Sequence, residues 1–420
     1  MLRVRKIILL YISIFIVCVS AKSYAQNHLN SPYSRFGMGD LMSRTTASVA
    51  AMGGTGYTFQ SATAVNFINP AAYMGFDTLS FLLDAGFSWK NHTLAAATTQ
   101  RGSTFQFDYL SFGFSIARWW KMAFGVQPYS VMNYSTTEEI EIDTLKYVRI
   151  YAGDGGINEV FWGNSFKLFK NFSIGVNASF LFGTYRKNRI IEEWNNSDFF
   201  NAKIENANKI RGAILTFGAQ YFIPVKEKGQ FGLGLVYTPP IPVQFTENNT
   251  IATHWGNEYN ITPIDTLYPT APQKRSYTMP SQIGWGISWG KKDKYFVGVD
   301  FTYTNWSHNV NDSLSDAYKI AVGGNYTPNY TSNKFFSRMT FSLGANAEQT
   351  RLFLAGEHLN RFGINLGLLF PLKKTKSAFG FVFEYGQMGT TKNNLIKENY
   401  FTATVNLRIH ERWYQRKKLD

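Results

Sequence analysis

The sequence predicts an all-β protein: a transmembrane antiparallel β-barrel of about fourteen strands with an N-terminal plug. Three observations predict this fold: segments of alternating apolar and polar residues, an N-terminal export signal, and the lengths of the connections between the segments. The clearest alternation has apolar Phe172, Ile174, Val176, Ala178, Phe180 and Phe182 interleaved with Ser173, Gly175, Asn177, Ser179, Leu181 and Gly183. Strand side chains alternate between two faces, so this segment has one apolar and one mostly small or polar face. Its length is close to the roughly 9–11 residues that span a bilayer when tilted.

The first element, residues 1–25, has the features of a signal peptide. Arg3, Arg5 and Lys6 precede an apolar run over 7–19, and the small residues Ser23 and Ala25, at the −3 and −1 positions, predict cleavage after Ala25. Cys18, the single cysteine, lies within this signal, so the mature chain would have no disulfides. No other segment is long and apolar enough for a helical span. An exported chain that inserts into a membrane must then close into a barrel, because open sheet edges are not satisfied in lipid.

The second element, residues 26–78, does not alternate. A short helix is expected over 47–52, ended by Gly53 and Gly54, and Asn69, Pro70 and Ala71 follow. The segment is too apolar for a free tail, which would be polar. We therefore expect it to lie inside the barrel as a plug.

The third element, residues 79–410, carries the alternating segments of the barrel, and residues 411–420 form a basic tail. Short connections are expected at 118–120, 169–170, 224–229, 291–293 and 372–377. Longer ones are expected at 91–103, 134–156, 187–209, 239–275, 307–316, 350–360 and 388–397. Outer-membrane barrels have short periplasmic turns and longer external loops, so this alternation predicts the orientation. The phase of the pattern changes near Tyr109 and Leu110, which predicts a β-bulge.

This layout resembles the FadL-like family of outer-membrane long-chain fatty-acid transporters. The resemblance rests on Gly53, Gly54, Asn69, Pro70 and Ala71, placed before about fourteen strands. The segments 31–37, 153–158 and 389–400 are similar to the branch found in Bacteroidota. The resemblance implies passage of hydrophobic molecules through a plugged barrel, with sideways release at a kink in the wall that the sequence does not locate. It also implies that some members are subunits of larger outer-membrane complexes.

Enzymatic motifs are weak. The segment 286–290 matches Gly-x-Ser-x-Gly, but that motif requires a strand, a strained turn and a helix, whereas this segment lies within an alternating strand. None of the six histidines pairs with another at metal-ligand spacing. We therefore expect no catalytic residues, no metal and no cofactor.

Charged residues within the strands fall on the face opposite the apolar residues and should point into the lumen. These candidates are Asp84, Lys167, Asp300, Glu384 and Arg408. A lipid-facing Lys or Arg would cost roughly 2–4 kcal/mol at the bilayer midplane. Two interpretations stay open: the charges pair across the lumen and hold the plug, or they contact the polar head of a ligand.

The expected periplasmic turns are strongly basic. The basic rim includes Lys226, Lys228, Lys291, Lys292, Lys373 and Lys374, opposed by few acids. Clustered cations near a membrane attract anionic head groups, worth about 1 kcal/mol each near the surface. The expected partners are outer-membrane lipid and lipopolysaccharide, with an acidic periplasmic protein as the alternative. Nucleic acid is not expected, although the full chain has a net charge of +14.

The function expected from the sequence is passage of fatty-acid-like hydrophobic molecules across the bacterial outer membrane. The alternative is a non-catalytic barrel subunit of a multi-protein outer-membrane assembly or export complex.

Overall fold

Fourteen antiparallel strands close into one barrel, which confirms the predicted fold class. The computed structural model describes residues 31–412, except 97, 143–144, 194–200, 226–228, 256–261, 270, 308–312, 333 and 373–374. The barrel strands are β2 (Ser80–Ala95), β3 (Thr99–Ser115), β4 (Trp120–Val131), β6 (Leu145–Phe169), β7 (Phe172–Glu193), β8 (Asn201–Val225), β9 (Gly229–Thr238), β13 (Ser281–Lys291), β14 (Tyr295–Asn305), β15 (Ala317–Tyr326), β16 (Thr340–Leu354), β17 (Glu357–Pro371), β18 (Ala378–Met388) and β19 (Lys397–Arg412). The last strand pairs with the first, from Lys397↔Ala95 to Arg412↔Ser80, which closes the wall.

The alternating residues form these strands because each face meets a different environment. Along β7, Ser179 and Asn177 are buried on the inner face, whereas Phe180 and Phe182 are exposed on the outer face. The same division holds along β13, where Trp285 and Ile287 face outward. An outward apolar band with a polar interior is the pattern of a membrane-spanning barrel. Within the described residues, no helix is long and apolar enough to cross a membrane.

The long connections predicted at 134–156, 187–209 and 239–275 were wrong as loops, because much of their length is strand. β6 and β8 each contain 25 residues, more than twice the roughly 9–11 that span a bilayer. β5 (Tyr134–Ile142), β10 (Ile241–Trp255), β11 (Thr262–Pro269) and β12 (Gln273–Met279) add to this part of the wall. We call this end of the barrel the extended end and the opposite one the short-turn end. Outside lipid both faces of a strand tolerate polar residues, so the apolar alternation that predicts strands is absent there.

The bulge predicted near Tyr109 is present. The register between β2 and β3 shifts between Gly86↔Tyr109 and Phe87↔Phe107, which leaves Asp108 as the extra residue. A bulge bends its strand and disrupts the local ladder.

The segment before β2 runs through the lumen from the extended end to the short-turn end. It contains 3₁₀ helices at Pro32–Arg35 and Pro70–Gly75, the two-residue strand β1 (Asp40–Leu41) and a short helix at Ala47–Ala50. This helix ends in turns through Gly53 and Gly54, as the sequence predicts. Elsewhere there is a helix at Phe335–Arg338 and a 3₁₀ turn at Lys392–Asn394.

Candidate functional site

The plug is attached to the barrel wall near the extended end. The Tyr33 hydroxyl donates to the Ile396 carbonyl at 2.6 Å, and the Arg351 guanidinium donates to the Gly39 carbonyl. Arg351 also stacks over Trp306, 4.8 Å from the ring centroid. Around these contacts, Tyr33, Met38 and wall residues such as Tyr129, Leu181, Ile210 and Leu359 form a buried apolar cluster. The plug and wall thus share an apolar core at this level of the lumen.

The middle of the plug is held by hydrogen bonds to buried polar side chains of the wall. One carboxylate oxygen of Asp300 on β14 accepts the backbone N–H groups of Gly56 at 2.6 Å and Tyr57 at 2.8 Å. Three strands away along the wall, the Gln220 side chain on β8 donates to the Tyr57 carbonyl at 2.8 Å. Asn177 on β7 donates to the Phe67 carbonyl at 2.9 Å. Side chains of three separate strands therefore satisfy the plug backbone.

Asn69 fixes the plug segment that carries the Asn-Pro-Ala motif. Its side chain accepts the Ala71 N–H at 3.0 Å and so caps the 3₁₀ helix that begins at Pro70. The same side chain donates to the Tyr57 carbonyl at 2.7 Å. Proline at the first helical position removes an N–H that would have no intrahelical partner. The motif therefore shapes the plug itself.

A buried ionic network lies between β2, β19 and the plug. Asp84 is fully buried, and its carboxylate accepts hydrogen bonds from Tyr109 at 2.9 Å and Asn406 at 2.6 Å. The Arg408 Nε lies 3.7 Å from the other carboxylate oxygen, and its guanidinium also donates to Ser48 of the plug. The Tyr109 hydroxyl accepts the N–H of Ala47, the first residue of the plug helix. Two predicted luminal charges are thus brought together in contact with the plug.

The end of the plug is bound at the short-turn end of the barrel. Lys121, almost fully buried, donates to the Met74 carbonyl at 3.0 Å and to the Phe76 carbonyl. Asp77, the residue beside Phe76, pairs with Lys376. Partial burial favours the protonated carboxyl of Asp77, but the adjacent Lys376 ammonium outweighs this and lowers the pKa of Asp77. The ion pair therefore stabilises the folded state only while Asp77 is ionised.

This pair gives a pH-dependent prediction. Because the folded pKa of Asp77 is lowered, its stabilising contribution is present above the unfolded pKa of about 3.9 and is lost as pH falls through the folded value. Asp77→Asn should therefore lower the thermal midpoint in detergent at neutral pH and have no effect in strong acid. The check is melting of both proteins across that range. If the thermal midpoint of Asp77→Asn were lower than that of wild type by the same amount at every pH, the charge of Asp77 would have no role.

Glycines on the inner face allow the plug backbone to approach the wall closely. A Cβ on Gly344 would lie 2.1 Å from the Met52 carbonyl carbon, and one on Gly323 would lie 2.2 Å from the Met52 oxygen. On the other side of the lumen, a Cβ on Gly175 would lie 2.5 Å from the Pro70 carbonyl carbon. No side chain fits in these places without displacing plug backbone.

Gly344→Leu should therefore displace the plug and destabilise the protein by about 1–3 kcal/mol, the usual cost of overpacking. The neighbouring variant Ala345→Leu is the control, because Ala345 faces outward and is exposed. Limited proteolysis of the plug and the thermal midpoint in detergent measure the effect. If both variants behave alike, the contact at Gly344 does not hold the plug.

A cavity of about 290 Å³ lies between the plug and the wall. Its lining includes Arg44, Glu159, Asp300, Lys319, Glu348 and Arg361, together with Glu384. Arg44 of the plug pairs with Glu159 at 3.5 Å, and Arg361 pairs with Asp40 of the plug at 3.5 Å. Ligand pockets for hydrophobic molecules are lined mainly by apolar side chains. This cavity has apolar lining residues such as Phe67, Ile214 and Met279, and it is also crossed by ion pairs that join plug and wall.

The other predicted luminal charges lie apart from the buried network. Glu384 accepts the Tyr400 hydroxyl at 2.9 Å and reaches the cavity. Lys167 is exposed next to the turn between β6 and β7, so the structure does not bring it to Asp84 or Asp300. In the predicted basic rim, Lys291 and Lys292 are exposed at the short-turn end. Lys226, Lys228, Lys373 and Lys374 lie outside the described residues, as do residues 1–25 and 413–420 of the predicted signal and tail.

Sequence reasoning missed several residues that hold the plug, among them Asn177, Gln220, Lys121 and Arg351. Asn177 and Gln220 lie on the inner faces of their strands. The alternating pattern predicts that these side chains face the lumen, but it does not predict that they bind the plug. The Ser of the Gly-x-Ser-x-Gly match, Ser288, lies within β13, opposite Gly232 and Gly298. It therefore lacks the strand–turn–helix context of a hydrolase nucleophile.

Comparison with known proteins agrees with this architecture. The FadL homologue of Pseudomonas aeruginosa is similar with a TM-score of 0.59 and 12% identity, over 89% of this chain and 100% of that one. The toluene transporter TodX of P. putida has a TM-score of 0.59 and 12% identity, over 88% and 98%. The monoaromatic hydrocarbon channel CymD has a TM-score of 0.56 and 12% identity, over 87% and 97%. At this identity the likeness shows the fold, so the resemblance inferred from the sequence is supported at that level.

No curated protein matches the chain. A family model named BamG matches residues 4–420, which is nearly the whole sequence. The chain therefore belongs to the BamG family.

Proposed function

We propose that this protein is a non-catalytic barrel subunit of a multi-protein assembly in the bacterial outer membrane. The observation that carries the proposal is the set of contacts that attach the plug to the wall along the whole lumen. The plug is bound at three levels. Apolar side chains pack against it near the extended end, Asp300 and Gln220 form hydrogen bonds with it in the middle, and Lys121 binds it at the short-turn end. A hydrophobic molecule crossing this lumen would have to pass the ion pairs that join Arg44 to Glu159 and Arg361 to Asp40.

The exposed surface of the short-turn end supports a docking role. Lys291 is exposed at the end of β13, and Lys292 and Lys294 are exposed in the turn that follows. Lys121 and Lys376, at the same end, bind the plug. We place this end in the periplasm, where the exposed lysines would meet acidic surfaces of other subunits. Charge complementarity of this kind guides association and partner choice.

Charge reversal tests the proposal. The variant carrying Lys291→Glu, Lys292→Glu, Lys373→Glu and Lys374→Glu should insert normally and lose its co-purifying partners after gentle solubilisation. The control is Lys146→Glu with Lys274→Glu, which reverses two exposed lysines at the extended end, and it is compared with Lys291→Glu with Lys292→Glu, which changes the charge by the same amount. If the first variant keeps every partner, as the control does, docking through the basic rim is wrong.

A second candidate, passage of fatty-acid-like molecules, is favoured by a groove on the outer wall. The groove, of about 520 Å³, is lined by apolar residues that include Ile320, Val322 and Phe362. Asn346 lines both this groove and the luminal cavity, so only one layer of wall separates them. The solved structures named as a toluene transporter and a hydrocarbon channel share the fold.

Extraction of bound lipid from the purified protein tests this second candidate. A carrier should hold a stoichiometric hydrophobe, and Ala347→Trp, which fills the groove, should reduce the bound amount. The control is Ala178→Trp, an outward alanine that does not line the groove. Absence of any bound hydrophobe in wild type would favour the subunit role.

A further inference from the structure

The link between β15 and β16 is long for the short-turn end. It spans 327–339, whereas β6 and β7 are joined by 170–171 and β13 and β14 by 292–294. The Thr327 N–H donates to the Lys294 carbonyl at 2.8 Å, which places the start of the link beside the turn after β13. Outer-membrane barrels have short turns at this end, so the extra length is not needed to join two neighbouring strands.

The helix of this link lies against the outer wall. It spans Phe335–Arg338, and the ring of Phe335 stacks on Phe370 of β17 with centroids 6.0 Å apart and an angle of 22°. Phe370 in turn contacts Phe381 of β18, with centroids 5.7 Å apart. Phe381 is exposed and its two neighbours in β18 are buried, so Phe381 belongs to the lipid-facing side of the wall. The helix is therefore continuous with the apolar band of the barrel.

Phe336, the second residue of the helix, extends this band into solvent. It is 74% exposed, the highest fraction among the large apolar side chains that the structure describes. Its ring contacts Phe335 edge-on, with centroids 5.6 Å apart. Aromatic rings are enriched at membrane–water interfaces, where the apolar part of the ring leaves water. Phe336 thus adds to the aromatic row formed by Phe335, Phe370 and Phe381.

The aromatic row lies where the membrane-spanning part of the wall begins. Phe370 is the last residue but one of β17, and Phe381 is the fourth residue of β18. Both strands cross the membrane from this end, and roughly 9–11 residues span the bilayer. The rings are therefore close to the membrane surface and far from the bilayer centre.

Cations border the two exposed rings. Lys334 precedes the first ring and is exposed, and Arg338 ends the helix. The link 327–339 contains no acidic residue, so no acid of its own segment offsets these charges. Clustered cations beside a membrane attract anionic head groups, and apolar side chains next to them enter the boundary between head groups and acyl chains. The order of residues in the link fits an anionic membrane surface.

We propose that the link 327–339 is a membrane-surface anchor that binds anionic phospholipid in the leaflet at the short-turn end. Phe336 inserts among the acyl chains beside the wall, while Lys334 and Arg338 bind phosphate groups of the same leaflet. Lipid already surrounds the wall at Phe381, whereas a protein partner would have to displace it there. The anchor goes beyond the proposed function, because it would hold for a subunit and for a carrier alike.

Fluorescence quenching measures the depth of the link. Phe336→Cys, Phe381→Cys and Lys292→Cys each carry one environment-sensitive dye on the mature chain, whose natural cysteine, Cys18, lies in the predicted signal. The protein is placed in nanodiscs whose lipids have brominated acyl chains. We expect the dye at Phe336 to be quenched about as strongly as the dye at Phe381, and the dye at Lys292 to be quenched little. Quenching at Phe336 as weak as at Lys292 would overturn the anchor.

The charge of the bound lipid is tested with the dye at Phe336. The nanodiscs contain equal parts of phosphatidylglycerol and phosphatidylcholine, and one of the two lipids is brominated at a time. We expect quenching to show phosphatidylglycerol enriched about fivefold around the dye, because each cation near the surface favours anionic lipid by about this factor. Equal quenching by the two lipids would show that the link does not select anionic head groups, and the proposal would be wrong.

Charge reversal assigns the selectivity to the link. Lys334→Glu changes an exposed side chain, so it should lower the enrichment without affecting the fold. Adding Arg338→Glu should lower it further. The control, Lys146→Glu with Lys274→Glu, reverses two exposed lysines at the extended end and should leave the enrichment unchanged. Unchanged enrichment in Lys334→Glu would overturn binding of phosphate by the link.

Photo-crosslinking in intact cells separates lipid from a protein partner. A photoreactive phenylalanine analogue replaces Phe336, and the expected products are adducts with phospholipid. A crosslink that maps to a peptide of another protein would identify the link as a protein-docking surface and overturn the lipid anchor. That outcome would leave the proposed subunit role in place, so the two proposals fail separately.

Discussion

Deleting Ser31–Tyr57 should raise the permeability of the outer membrane to small polar dyes, on the order of tenfold or more, because large barrels without a plug enclose an aqueous channel. The deleted residues supply the apolar packing near the extended end and the contacts to Arg351 and Asp300. Below this apolar level, the inner wall carries polar side chains such as Asp300, Gln220 and Asn177, so the vacated space would fill with water. Dye uptake by intact cells measures the effect.

The barrel itself should survive this deletion. Its ladder closes without the plug, and the pairing of β19 with β2 alone extends from Lys397↔Ala95 to Arg412↔Ser80. The control is the heat-dependent gel mobility typical of a folded barrel, compared between the deletion and wild type. An intact barrel with unchanged dye uptake would show that something other than residues 31–57 closes the lumen.

The part of the fold inside the membrane could be predicted from the sequence. Lipid outside the barrel and a polar lumen inside it require apolar and polar side chains to alternate at every second residue. The segment Phe172–Glu193 shows this as far as Phe182. Beyond Phe182 the same strand continues through Arg186 and Lys187, where no lipid selects an apolar face, and the periodicity that predicts a strand disappears. The extended end was therefore predicted as loops.

The position of the plug could be inferred from its apolar composition, but its contacts could not. Asp300 and Gly56 are 244 residues apart, and nothing local in the sequence joins them. Likewise, Lys376 lies within the predicted short turn at 372–377 and Lys121 directly follows the one at 118–120, whereas in the structure both bind the end of the plug. Their identity as cations was visible in the sequence, but the partner of each depends on the closed barrel.

Asp300→Ala should weaken the attachment of the plug by roughly 2–6 kcal/mol, because it leaves two buried N–H groups without an acceptor and each such group costs about 1–3 kcal/mol. Asp300 is 3% exposed, so water does not readily replace the lost carboxylate. Asp300→Asn keeps an oxygen acceptor, so it should weaken the attachment of the plug less than Asp300→Ala does. The surface variant Asp154→Ala removes an ion pair with Arg186 in which both side chains are about half exposed, and it should change stability by at most about 1 kcal/mol. Proteolysis of the plug and the thermal midpoint in detergent should rank the three variants in that order. If Asp300→Ala matched Asp154→Ala in both measurements, the carboxylate would not be the central anchor of the plug.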